Sequence, residues 1–159
     1  MDRVKKVSEL LNALGEMCDT GYALAIHMRF MRPVLLYECY CREWSDFYDR
    51  NGLMLNDPVV HWGLAHNGVR LWDDPTLNDP LGVVRRAHDH GLHNGVAIST
   101  GTSASRTITG MTRSWGPFSA PEIERMTCIV ETLHQITDGL GPLDSPEMTQ
   151  LRALGPRPR

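Results

Sequence analysis

The chain has 159 residues, 42% hydrophobic and 22% charged, a balance that suits one globular domain and excludes disordered, collagen-like and disulfide-scaffold classes. Its 16 Lys and Arg against 19 Asp and Glu leave a net charge of −3, which excludes the basic face that a nucleic-acid surface requires. The chain opens on charged residues, no run approaches the ~20 apolar residues of a membrane helix, and four scattered cysteines fit a reducing compartment. A cytoplasmic protein with no membrane contact is therefore expected.

Val4, Val7, Leu10, Leu11, Leu14 and Met17 recur every three or four residues and predict an amphipathic helix over 3–19. Residues 22–30 alternate with period two, Tyr22, Leu24, Ile26, Met28 and Phe30 on one face, as in a strand packed on both sides. A turn at Arg32-Pro33 and a returning strand over 34–39 complete a hairpin. From Tyr40 the spacing becomes helical, with Tyr40, Trp44 and Tyr48 four apart and Gly52 as the stop. Asp57-Pro58 reads as an N-cap and first-turn proline of a helix to about His66, and Asp79-Pro80 repeats the device for a helix ending near Gly91.

Short strands are predicted over 69–72, 95–100 and 106–113, the last two joined by a turn around Gly101. Ser119-Ala-Pro-Glu122 is a capping box opening a helix to about Asp138. Residues 140–159, with four prolines and three arginines, read as a linker or disordered tail behind a domain of residues 1–139. Five strands with helices before, between and after them predict an α+β fold, an α/β/α sandwich around a five-stranded antiparallel sheet.

The polar side chains that stand out are Tyr40, Trp44, Tyr48 and Asp57. An indole donates, a phenol donates and accepts, and an ionised carboxylate only accepts, so this set suits a ligand with carbonyl oxygens, one amide N–H and an apolar remainder. An aromatic core face and a capping aspartate is the structural alternative. The intervals favour the first reading. Tyr40-Cys-Arg-Glu-Trp44-Ser-Asp-Phe-Tyr48, Asp57-Pro58 nine residues on, Trp72 fifteen residues after that, and Gly91 to Val96 as Gly-x-x-x-Gly-Val resemble the autoinducer-binding domain of LuxR-type quorum-sensing receptors over about residues 3–138.

The resemblance implies an N-acyl-homoserine lactone as ligand, no cofactor and no enzymatic activity. Trp44 would donate to the lactone carbonyl, Tyr40 to the amide carbonyl, and Asp57 would accept from the amide N–H. Tyr48 and Trp72 would wall the pocket, and Gly95 would sit where a strand passes close to it. Arg113 falls near a position where many members keep a small Ser or Thr facing the ligand. It is placed with the binding set, an arginine reaching to solvent being the alternative. Met28, Met31, Met54 and Met111 are candidates for an adaptable acyl pocket, against scattered core methionines. The chain departs from the family in a short Trp72–Gly91 segment and in Ile98-Ser99-Thr100 where a proline is usual.

Family regulators carry a further DNA-reading helix-turn-helix domain, and about twenty residues after Gly139 are too few for one. No nucleic-acid contact is expected from this chain alone. Partnership is expected with the small-molecule autoinducer and, as a homodimer or a heterodimer, with a related receptor, including the case of a short member that pairs with full-length receptors. The rival readings are a PAS- or GAF-like sensor of another hydrophobic molecule and a metal-dependent hydrolase using His88-Asp89-His90-Gly91-Leu92-His93. The latter run lacks the spacing of a zinc hydrolase, and Cys39-x-Cys41 lacks a second pair, so no metal site is expected.

Overall fold

The alternation of the first strand decides the architecture, because each face of the sheet meets a different layer of helices. A computed structural model describes residues 2–155. In chain order it contains α1 (Arg3–Met17), β1 (Gly21–Arg29), β2 (Arg32–Glu38), α2 (Arg42–Arg50), a 3-10 turn (Leu53–Asn56), α3 (Pro58–Ala65), β3 (Gly68–Leu71), α4 (Val83–Asp89), β4 (Val96–Thr102), β5 (Ser105–Thr112), α5 (Ala120–Ile136) and α6 (Pro146–Ala153). The strands form one antiparallel sheet in the order β2-β1-β5-β4-β3, so the expected α+β sandwich is the fold.

One face carries large side chains. Tyr22, Leu24 and Ile26 of β1, Leu35 and Tyr37 of β2, Val96 and Ile98 of β4 and Met111 of β5 pack with the apolar stripes of α1 and α5. The opposite face carries Ala23, Ala25, Ala97 and Gly110 and meets the aromatic layer of α2, α3 and α4. Caps fix the helix starts: Asp57 accepts from Val59 N at 2.8 Å, and Ser119 and Glu122 form the expected reciprocal box.

The structure corrects four local expectations. The β1–β2 turn is Phe30-Met31 rather than Arg32-Pro33. Both turn residues take positive φ (52° and 67°), the geometry that matches strand twist in a two-residue hairpin but that usually calls for Gly or Asn. Pro33 pairs with Met28 inside β2, which tolerates it as an edge strand. Helix α2 begins at Arg42, leaving Tyr40 in the preceding connection. Asp79 caps, but from a distance: its carboxylate accepts from Val83 N at 2.7 Å and Val84 N at 3.0 Å, so α4 starts three residues later than expected.

The fourth correction concerns the C-terminal stretch. Residues 146–153 are not a loose tail but helix α6, capped by Ser145 and seated on the large-residue core through Met148 and Leu151, both fully buried. Tyr37 donates to the Leu151 carbonyl at 2.8 Å, and Arg3 pairs with Glu147 at 2.7 Å. Pro146 stands at the first helical position, where its missing N–H costs nothing, so this proline starts a helix instead of breaking one. The end of the stretch, 156–159, lies outside the described residues.

Candidate ligand-binding site

Five of the seven residues singled out in the sequence converge on one cavity of about 210 Å³, many times what a single water needs. Tyr40 reaches it from the connection between β2 and α2. Trp44 and Tyr48 do so from one face of α2, Asp57 from the cap of α3, and Trp72 from the residue after β3. Ala23, Ala25 and Gly110 form the floor, and Val59, Val83, Ala87 and Ile108 add apolar walls. The floor exists because small residues occupy the inward positions of β1 and β5 on this face. Trp44 is almost fully buried, its ring 5.6 Å from that of Tyr48 and 5.3 Å from that of His90.

Asp57 is the electrostatic centre. One carboxylate oxygen accepts from Val59 N and the other from the Tyr48 hydroxyl, both at 2.8 Å. Burial nonetheless pushes its carboxyl above the ordinary carboxylate value, with the Tyr48 and backbone hydrogen bonds pulling the other way. Two bonds leave acceptor capacity on a carboxylate, which offers about four lone-pair sites. Tyr48 is pushed far up, by burial first and then by the Asp57 charge, and Tyr40 is pushed well up chiefly by burial, so both phenols keep their protons. Tyr40 donates to the Gly110 carbonyl at 3.0 Å, so its proton is already engaged.

Trp72 owes its position to two glycines. A Cβ on Gly95 would lie 2.1 Å from its ring and one on Gly110 2.9 Å, so only bare backbone lets the indole lie flat there. Gly95 thus acts beneath Trp72 and is not itself part of the cavity wall. Its indole Nε1 is buried without a hydrogen-bond partner.

Arg113 does not reach the cavity. Its guanidinium is turned to the loop that leads into α5, where it holds Glu122 through two hydrogen bonds (2.5 and 2.9 Å), donates to the Gly116 and Pro117 carbonyls, and lies between Trp115 and Phe118. Neither the pocket nor solvent takes this side chain, because Glu122 at the first turn of α5 is a better partner than either. Glu122 is held down at about 2, first by Arg113.

Of the methionines, Met28 and Met54 line the cavity, Met111 belongs to the opposite core, and Met31 is in the hairpin turn. The histidine run divides: His88 Nε2 sits 3.1 Å from Asp73 with its ring 5.3 Å from that of His93, while His90 packs on Trp44 and Phe47. Among the described residues no group of three or more His, Cys, Asp or Glu side chains gathers as a metal site, and no helix is long and apolar enough to cross a membrane. A second, more open hollow between α3 and the 76–80 segment, including His61, Trp62 and Arg70, contains none of the predicted residues.

Among the polar liners missed in the sequence are Glu38 and Ser45, with Asp49 and Thr109. Glu38 follows Leu36 on the small-residue face of β2 opposite Ala23, and Ser45 follows Trp44 on α2; the Ser45 hydroxyl donates to the Glu38 carboxylate across the cavity wall. The period-two alternation of β2 was the available signal.

Residues 16–135 match the family model described as the autoinducer binding domain. The chain belongs to that family. Among the proteins it is similar to are the transcriptional activator SolR of Ralstonia nicotianae, 23% identical over 139 residues, and SolR of Ralstonia solanacearum, 22% identical over the same length. Each match covers 86% of this chain and 58% of the relative, so the chain spans less than three-fifths of these activators.

Solved structures share the fold of this autoinducer-binding domain. SdiA in complex with octanoyl-rac-glycerol superposes with a TM-score of 0.66 at 20% identity, covering 86% of this chain and 59% of that one. Escherichia coli SdiA gives 0.65 at 19% identity over 89% and 65%. The N-acylhomoserine-lactone-dependent transcription factor CepR2 of Burkholderia cenocepacia gives 0.54 at 16% identity over 86% and 93%.

Proposed function

We propose that this autoinducer-binding domain takes up a neutral amphiphile of the N-acyl-homoserine lactone type between the sheet and α2–α4, as the sensory part of a LuxR-type transcriptional regulator. The observation that carries the reading is the facing of Trp44 and the buried Asp57 carboxylate around a cavity with a small-residue floor. A ligand amide N–H would offset part of the desolvation of that carboxylate, and the Trp44 indole is the donor for a lactone carbonyl. For Tyr40 to donate to the amide carbonyl it must release Gly110. Among the described residues the cavity wall contains no Lys, Arg or His, which argues for a neutral head group over a carboxylate or phosphate.

The neighbours support this chemistry: one is named for its dependence on N-acylhomoserine lactone and another holds octanoyl-rac-glycerol. The latter makes a fatty-acyl glycerol the second reading. Dimerisation, with a second copy or a related receptor, belongs to the same proposal, and light scattering with and without ligand tests it.

Thermal denaturation with acyl-homoserine lactones of graded chain length, beside an acylglycerol, tests the ligand. Stabilisation of about 2.7 kcal/mol is expected at a hundredfold excess over Kd. Equal stabilisation of the parent, Trp44→Phe and Asp57→Asn would overturn the reading, as would none for any ligand.

A further inference from the structure

We propose that Glu38 and Ser45 form a second polar recognition point in this cavity, selecting acyl chains that carry a hydroxyl near the head group over chains that carry a carbonyl there. The inference rests on the proposed binding of an acyl-homoserine lactone and narrows its chain.

Its basis is a count of where the hydroxyl protons in the cavity wall go. Tyr40 donates to the Gly110 carbonyl, Tyr48 to Asp57, Thr109 to the Ile98 carbonyl and Ser45 to Glu38. Every hydroxyl of the lining therefore already spends its one proton inside the protein. What Glu38 and Ser45 still present to a guest is lone pairs, on the carboxylate and on the serine oxygen. The amide N–H of the ligand serves Asp57, which leaves this second acceptor pair unserved.

Position narrows the choice further. Glu38 lies two residues before Tyr40 and Ser45 directly after Trp44, and all four line the same cavity, so the pair adjoins the residues assigned to the head group and would meet the first carbons of an acyl chain rather than its end. A hydroxyl there donates to the carboxylate, a charge-assisted bond stronger than one between neutral groups. A ketone there sets its oxygen against two acceptors with no proton between them. Burial pushes the Glu38 carboxyl up and the charges of Asp49 and Asp46 add to this, against the Ser45 hydrogen bond.

Calorimetric titration with three homoserine lactones of equal chain length, unsubstituted, 3-hydroxy and 3-oxo, tests the idea. The parent should bind the hydroxy ligand about tenfold tighter than the oxo ligand. Glu38→Gln puts an amide N–H donor in the same place and should bring the oxo ligand level with the hydroxy ligand or ahead of it. Ser45→Ala, a second and smaller change, should shrink the hydroxy preference without reversing it. Each variant is its own reference, because the readout is a ratio of two ligands. A parent that favours the oxo ligand or neither, or a ratio unmoved by Glu38→Gln, would overturn the inference while the unsubstituted lactone still binds. Failure of all three lactones to bind the parent would overturn the proposed function as well.

Discussion

The two faces of one sheet do different work, and β1 shows why. Leu24 and Ile26 point into a filled core with α1, α5 and α6, whereas Ala23 and Ala25, one residue away on the same strand, point at a cavity. Adjacent positions on one strand face different helix layers and differ in side-chain volume, and together these differences divide stability from binding. A strand that alternates large and small apolar residues thus specifies a packed side and a receptive side at once.

Neighbouring substitutions give the largest effect. Leu24→Ala should cost about 2–5 kcal/mol in urea denaturation, through lost burial and a cavity that a packed face cannot close. Ala25→Leu, which fills space already empty, should change stability by no more than about 1 kcal/mol yet abolish ligand-induced stabilisation. Equal destabilisation by both would mean that the faces are not distinct.

Asp57 sharpens the contrast. Asp57→Asn keeps a helix cap but should cost about 1.5–3 kcal/mol of ligand affinity by calorimetry. Without ligand the sign reverses. Because the folded carboxyl is raised above its usual 3.8, the native state holds the proton more tightly than the unfolded chain, so the parent loses stability as pH climbs from the unfolded value through the folded one. The asparagine variant should lack that loss in denaturation curves across the same range.

Gly95→Ala joins the two sides, since its Cβ must push Trp72 away. A stability loss of about 1–3 kcal/mol together with weaker ligand binding is expected from thermal melts with and without ligand. On the packed side, Ser119→Ala should remove a cap worth about 1 kcal/mol and leave ligand affinity untouched. The smallest effect concerns Glu122. Its folded carboxyl lies at about 2, below the ordinary 4.5, so its contribution is present above 4.5 and disappears as pH falls through 2. Glu122→Gln, which preserves the capping box, should make unfolding less pH-dependent in that window.

Much of this molecule was legible because the relevant signals are local. The alternation of residues 22–26, the Asp57-Pro58 and Ser119 caps and the aromatic intervals each follow from a few neighbouring residues and reappear in the structure; the predicted alternation breaks after Ile26, where a bulge with His27 at φ 54° turns Met28 to the cavity face and Phe30 falls in the hairpin turn. The hairpin turn escaped because Phe30 and Met31 adopt a conformation that their side chains disfavour, a choice imposed by the pairing of β1 with β2. Helix α6 escaped because Met148 and Leu151 declare themselves core only when Tyr37 is brought beneath them from more than a hundred residues away.

Residue types and their spacing by themselves determined the family, the order of the elements through α5 and five side chains of the cavity. Tertiary structure alone decided that Arg113 turns to Glu122 instead of a ligand, that Gly95 acts through Trp72, and that Glu38 meets Ser45. Spacing along a chain reports which face of an element a side chain occupies, but its partner is chosen by competition among groups that only folding brings within hydrogen-bonding range.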